Sequence, residues 1–217
     1  MNEKSWRLRR LTVMAILTAL SFVAVALIRI PFVLFLSYEP KDVLLTIGAF
    51  LFGPIAGACM AIVVALLELV TISTTGAIGM AMNILSSCLF VCTSSAIYHR
   101  RRTLSGAVIG LIIGAITMTC GMVLWNYLIT PLYMAVPRET VADMLLTVFV
   151  PFNLLKGAIN ASLAMLLYKS VSGGLRRARL LPPKDAVPQK GRFPTWAVSL
   201  FAVVSLVLVM LVWKGII

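Results

Sequence analysis

Asn153, Lys156 and Asn160 are spaced i, i+3 and i+7, which puts two amides and an amine on one face of any helix that carries them. Pro151 just before them suits a first helical position, where its missing N–H leaves no bond unmade. At 1.5 Å per residue, Lys156 then sits roughly 8 Å below the helix start. Glu68, Asn83 and Asn126, the last within Trp125-Asn126-Tyr127, interrupt other apolar runs. Tyr38, Glu39, Asp42 and the run Ser73-Thr74-Thr75-Gly76 fall in the breaks between runs. One lysine, one glutamate, several amides, hydroxyls and nearby aromatic rings suit a largely neutral, planar molecule held by hydrogen bonds. A phosphate or nucleotide would want more cations. No phosphate loop, Ser/His/Asp set or metal-ligand spacing occurs, and His99 is the only histidine. Cys59, Cys88, Cys92 and Cys120 all lie in apolar stretches and form no CxxC pair. The chemistry is that of a binder, not an enzyme, and it calls for no cofactor.

The composition says what must position these residues. The 217 residues are 61% hydrophobic and only 12% charged, and the mean hydropathy is +1.03. Soluble domains run near half apolar and about a quarter charged. A cytosolic globule, a disordered chain and a secreted disulfide scaffold are therefore excluded, and a polytopic membrane protein remains. Apolar spans are expected near 11–30, 43–53, 54–71, 77–98, 104–129, 151–169 and 195–213. The second and third are short and meet at the turn-forming pair Gly53-Pro54. Residues 131–150, with Pro137, Arg138, Glu139 and Asp143, are expected as a long, partly helical loop on the membrane surface. The basic start of the chain precedes an apolar run too long for a signal peptide, so it is read as a retained first span. The expected fold class is all-α, a polytopic membrane helix bundle. It comprises a six-helix membrane domain over 1–171, a basic cytoplasmic linker over 172–194 and an additional C-terminal transmembrane helix over 195–217.

The net charge of +12 lies in short clusters between the apolar runs, which speaks for a bilayer and against a nucleic-acid partner. With the N-terminus in the cytoplasm, fourteen of the nineteen basic residues fall inside. Arg29, Lys41, Arg138 and Lys214 fall outside, and Lys156 lies within a span. The positive-inside rule thus places the N-terminus in the cytoplasm. The two halves of the chain are unlike, so an inverted repeat is not supported.

In this orientation Glu68, Asn83, Trp125, Asn126, Asn153, Lys156 and Asn160 share the external half of the membrane. Tyr38, Asp42, Thr74, Thr75 and Gly76 join them from two outer loops. Such convergence describes a pocket opening outward. Each residue alone has a plainer role open to it. Glu68 and Lys156 could form a structural ion pair, or Lys156 could snorkel to the interface. The asparagines could serve as interhelical glue, and Trp125, Tyr127 and Tyr133 as an aromatic belt.

Several stretches together resemble a known family. They are Tyr38-Glu39-Pro40-Lys41-Asp42, Ile47 to Pro54, Ser73-Thr74-Thr75-Gly76, Asn126-Tyr127 with Pro131-Leu132-Tyr133, and Pro151-Phe152-Asn153-Leu154-Leu155-Lys156-Gly157. The last two are the most specific. Over about residues 8–170 the chain resembles a substrate-binding S component of an energy-coupling-factor (ECF) vitamin transporter, within its riboflavin-specific branch. The resemblance implies a six-helix bundle in the bacterial cell membrane that takes up riboflavin as a transported ligand. It also implies partners: one transmembrane scaffold subunit and two ATP-binding cassette ATPases. By the same resemblance Asn126, Asn153 and Lys156 contact the flavin, and Ala15 and Ala19 form the small-xxx-small face for the scaffold. The chain departs from the family in its extension through 195–213 and in Lys41-Asp42, where Ser-Asp is expected. Rival readings are an S component for another vitamin, a structural membrane protein without a ligand, and a lipid-directed membrane enzyme. The missing His/Asp/Ser set counts against the last.

Overall fold

The computed structural model describes residues 3–181, so the expected helix at 195–217 and most of the linker before it lie outside the described residues. Helix α1 (Glu3–Leu27) leads into a short antiparallel hairpin, β1 (Ile30–Val33) and β2 (Leu36–Tyr38). Then come α2 (Lys41–Phe52), α3 (Pro54–Thr71), α4 (Gly76–Arg101) and α5 (Leu104–Met134). Helix α6 (Arg138–Met144) continues through a π-helical stretch, Leu145–Phe149, into α7 (Val150–Arg177). Counting that last run as one helix, the described residues form an all-α bundle of six.

Among the described residues, five helices are long and apolar enough to cross a membrane, and α2 is not one of them. Its twelve residues rise only about 18 Å, short of the ~30 Å hydrocarbon core. It survives as a half-span because the other helices enclose it, with Leu45, Ile47 and Ala49 fully buried. Gly53, at φ +101°, supplies the sharp turn into α3, and Pro54 occupies the first turn of α3 where no N–H is needed. Three donors converge on the Ala49 carbonyl at the end of α2: Gly53 N at 2.8 Å, Ser95 Oγ at 2.7 Å and His99 Nε2 at 3.1 Å. His99 is therefore more than a helix-end residue; it ties α2 to α4.

Two expectations need correction. The hairpin over 30–38 was not foreseen, and the first helix ends at Leu27 because Arg29 and Pro31 interrupt the apolar run. Residues 131–150 are not a surface loop. Helix α5 carries on through Pro131, and Val141 and Phe149 are fully buried beside Leu36 and Phe152. Nor does Pro151 open a new helix, for the chain is already helical from Arg138. A proline ring ordinarily clashes with the carbonyl four residues earlier. The wider π turn immediately before Pro151 relieves that clash, so the helix continues instead of breaking.

The tightest helix pair is α4 against α5, where Gly110 and Gly114 face Ser94 and the Phe90 carbonyl. A Cβ added at Gly110 would lie 2.5 Å from the Ser94 carbonyl oxygen, a backbone atom that cannot swing aside. Gly110→Ala should therefore lower the thermal midpoint in detergent, at a cost of about 1–3 kcal/mol from overpacking. Gly173→Ala, where an added Cβ meets nothing within 4 Å, should leave the midpoint unchanged or slightly raised.

Candidate ligand-binding site

Lys41 opens α2 with its side chain only 2% exposed, the most deeply enclosed cation among the described residues. Its ammonium lies 2.9 Å from Glu39 Oε2 and 2.7 and 2.8 Å from the two oxygens of Glu68 on α3. Glu39 also takes the Arg29 guanidinium at 3.0 Å, and Glu68 accepts from the Asn83 amide of α4 at 3.0 Å. Asp42, fully buried, accepts from Ser87 at 2.5 Å and from Asn160 at 3.3 Å. The Lys156 ammonium lies 3.6 Å from Asp42 and 3.5 Å from Ser86 Oγ, to which it donates. Asn160 in turn accepts from the Tyr38 hydroxyl at 3.1 Å. Three cations and three carboxylates thus interlock, and their formal charges cancel.

A buried charge is tolerated only when paired and hydrogen-bonded. Burial pushes the Glu39 carboxyl up, but Lys41, Lys156 and Arg29 outweigh that effect and hold it below the ordinary carboxylate value. Burial first and the Asp42 charge second push the Tyr38 phenol up, so it remains a neutral donor. The suggested pair between Glu68 and Lys156 does not form. Glu68 goes to Lys41, Lys156 goes to Asp42, and Lys156 at 6% exposure does not snorkel.

Above this network lies a cleft that encloses about 460 Å³ when counted out to its open mouth. Its polar walls comprise Arg29 and Glu39 beside the hairpin, and Asn83, Ser86, Asn153 and Lys156 from α4 and α7. Phe35, Met82, Met122 and Phe152 supply apolar surface. An adjoining hollow of about 250 Å³ is lined by Trp125, Tyr133, Ile78 and Ile129, and shares Phe35, Thr75 and Met82 with the cleft. Phe35, at the hairpin end, meets Tyr133 edge-on with ring centroids 5.4 Å apart. The hairpin thus roofs a site whose one end is polar and whose other end is aromatic.

Of the residues singled out in the sequence, Glu39, Asn83, Thr75, Asn153 and Lys156 line the cleft, and Trp125, Tyr133 and Thr75 line the hollow. Tyr38, Asp42, Glu68 and Asn160 stand behind the wall, in the network that holds it. Asn126 is fully buried, but it donates to the Met122 carbonyl at 2.7 Å, accepts from Thr130 at 2.8 Å and lines neither space. Asn153 donates to the Phe149 carbonyl at 2.8 Å, which leaves its amide oxygen for the cleft. Thr74 and Gly76 are exposed in the α3–α4 turn and line neither space. Gly76, at φ +61°, is there for the turn. Ala15 and Ala19 are exposed on α1 beside Ile16 and Leu20, away from the cleft. Arg29, Lys41, Ser86 and Phe152 were missed as site residues. Ser86 was legible, three residues after Asn83 on the same helical face. Lys41 was noticed only as an outside basic residue and as a departure from the family.

The family model for the substrate-specific component of ECF transporters matches residues 9–168. The chain belongs to that family. Among curated relatives, this S component is 33% identical to the riboflavin transporter RibU of Staphylococcus aureus, over 78% of this chain and 93% of that protein. It is 22% identical to the riboflavin transporter FmnP of Bacillus subtilis, over 80% of this chain and 97% of that one. Among solved structures, the S component of a bacterial ECF transporter superposes with a TM-score of 0.66 at 31% identity, covering 79% of this chain and 99% of that one. The relatives are transporters, and this S component is a multi-pass membrane protein.

The depressed Glu39 carboxyl has a consequence for stability. Its folded-state value lies below the unfolded one near 4.5, so its contribution is complete above that pH and drains away as pH falls through the folded value. The thermal midpoint of wild type should exceed that of Glu39→Gln at pH 7, and the gap should narrow steadily below pH ~4.5. A gap that stays constant down to pH ~3 would show that Glu39 is not held ionised by its cations.

Proposed function

We propose that this S component captures riboflavin on the outer side of a bacterial cell membrane and delivers it inward. The observation that carries this reading is the two-part site, polar at the Lys156 end and aromatic at the Trp125 end, with a network beneath it whose charges cancel. Riboflavin is an uncharged molecule with a flat tricyclic ring, one polar ring edge and a polyol chain. Its ring suits the aromatic faces, and its carbonyls, N–H and hydroxyls suit Asn83, Asn153 and Lys156. The naming of two relatives as riboflavin transporters supports the same ligand.

The orientation follows from charge, with the N-terminus in the cytoplasm. Arg7, Arg9, Arg10, His99 to Arg102 and Arg176 to Arg179 lie at one end of the bundle, and the cleft lies at the other. No ATPase motif occurs in the chain, so energy comes from a separate module of a transmembrane scaffold and two ATP-binding cassette ATPases. Ala15 and Ala19, four apart and exposed on α1, give that scaffold a surface it can approach closely.

Three experiments test this. Protein purified from cells fed riboflavin should be yellow and should release riboflavin, identified by mass spectrometry; release of a different vitamin would reassign the ligand. Lys156→Ala and Asn153→Ala should each weaken riboflavin binding by about tenfold or more, since hydrogen bonds involving charged or buried groups are worth ~1.5–3 kcal/mol. Wild-type affinity in both folded variants would take these residues out of the site. For coupling, Ala15→Leu or Ala19→Trp should abolish uptake in cells and leave riboflavin binding by the purified protein intact. Loss of binding with assembly preserved would contradict the assignment of that face.

A further inference from the structure

Lys41 lines neither the cleft nor the hollow, yet it touches the supports of both polar walls. Its three ammonium protons face three carboxylate oxygens: one of Glu39 at 2.9 Å and two of Glu68 at 2.7 and 2.8 Å. A lysine has three donors and no acceptor, so none is left for a ligand. What Lys41 controls is its neighbours. Glu39 lines the cleft directly from the connection between β2 and α2. Glu68 does not line it, but receives the Asn83 amide nitrogen at 3.0 Å, and Asn83 does line it from α4.

An ionised carboxylate is an acceptor only, so it admits just one end of a neighbouring amide. While Glu68 stays ionised, Asn83 must turn its NH₂ group toward it and its carbonyl oxygen elsewhere. A protonated carboxyl or an amide in its place would accept either orientation. The Lys41 charge therefore fixes which polar atom of Asn83 the cleft presents, and it keeps Glu39 an acceptor on the other wall. The charged groups around this point are Arg29 from the α1–β1 connection, Glu39, Asp42 on α2, Glu68 on α3 and Lys156 on α7. Within hydrogen-bond reach of Glu68, Lys41 is the cation present.

We propose that Lys41 is the positioning residue of this site, setting the donor and acceptor pattern of both polar walls without contacting the ligand. The proposal rests on the riboflavin reading, and wild-type protein that fails to bind riboflavin would sink that reading before Lys41 is tested. The experiment is riboflavin titration, with the thermal midpoint measured on the same detergent-solubilised samples. Lys41→Met should lower the midpoint and weaken binding at least about tenfold. Lys41→Met combined with Glu68→Gln removes one charge of each sign, so the midpoint should move back toward wild type. Its affinity should stay within about threefold of the single variant, because a neutral amide facing Asn83 no longer dictates its orientation. Affinity that returns together with the midpoint would make Lys41 merely structural, and so would wild-type binding by folded Lys41→Met. Should Lys41→Met not fold, Glu68→Gln alone decides, since it keeps Lys41 paired with Glu39, leaves Lys41 an amide oxygen to donate to, and frees Asn83 to turn. It should bind at least about fivefold more weakly, and unchanged affinity overturns the proposal.

Discussion

The cleft end of this protein depends on keeping one buried ammonium satisfied. Lys41 stands at the N-terminus of α2, where the helix dipole already disfavours a cation. It is also almost wholly removed from water. Either condition alone would push lysine to the surface. Both are met because Glu39 and Glu68 reach it from two other elements and Asp42 occupies the same first turn. Separating those elements would leave charges of both signs unpaired in an apolar interior, at a cost of several kcal/mol for each. The hairpin connection, α2 and α3 are therefore held in register by electrostatics, and α4 joins through Asn83 and Ser87.

The same constraint shapes the ligand chemistry. Arg29, Lys41 and Lys156 are matched by Glu39, Asp42 and Glu68, so the cleft offers polarity without net charge. An ionic ligand would upset the balance, whereas an uncharged one can use the outward-facing polar atoms and leave the pairs intact. Phe35, Trp125 and Tyr133 extend the site with flat apolar surface. A ligand that is neutral, part planar and rich in hydrogen-bonding groups is the one that both parts of the site accommodate together.

Much of this was legible in the sequence, because a bilayer makes polar residues conspicuous. Asn83, Asn153 and Lys156 were found that way, and so were the spans of α1, α3, α4 and α5. The failures have physical causes. Residues 131–150 look like a loop because Pro131, Pro137 and three charges punctuate them, with Pro151 directly after. A π turn lets the helix pass Pro151, and burial of Val141 and Phe149 rewards it for doing so. Asn126 carries a motif but spends its amide on its own helix, a choice of rotamer that spacing does not reveal. Lys41 was assigned to the outer loop because a lysine at a span boundary ordinarily reaches water. Only tertiary structure shows the two glutamates waiting for it, one of them 27 positions away.

The two ends of the bundle are built on different rules, and α2 joins them. At the cleft end, helices meet through charges and amides. Further in, they meet through small residues, Gly110 and Gly114 against α4 and Gly57 against Ala49 and Val91. Helix α2 begins in the first regime at Lys41 and ends in the second at Ala49, whose carbonyl is fixed by Ser95 and His99. Between them, Gly48 brings its backbone so close to Leu17 of α1 and Met60 of α3 that even a Cβ would crowd both. A displacement of α2 started at Glu39 or Lys156 meets no slack at Gly48, and close-packed interiors transmit strain. It meets Leu17 on the inner face of α1, the helix whose outer face carries Ala15 and Ala19. This contiguous path of packed atoms is the physical minimum for the cleft at one end of the bundle to be felt at the exposed Ala15 and Ala19 face of α1.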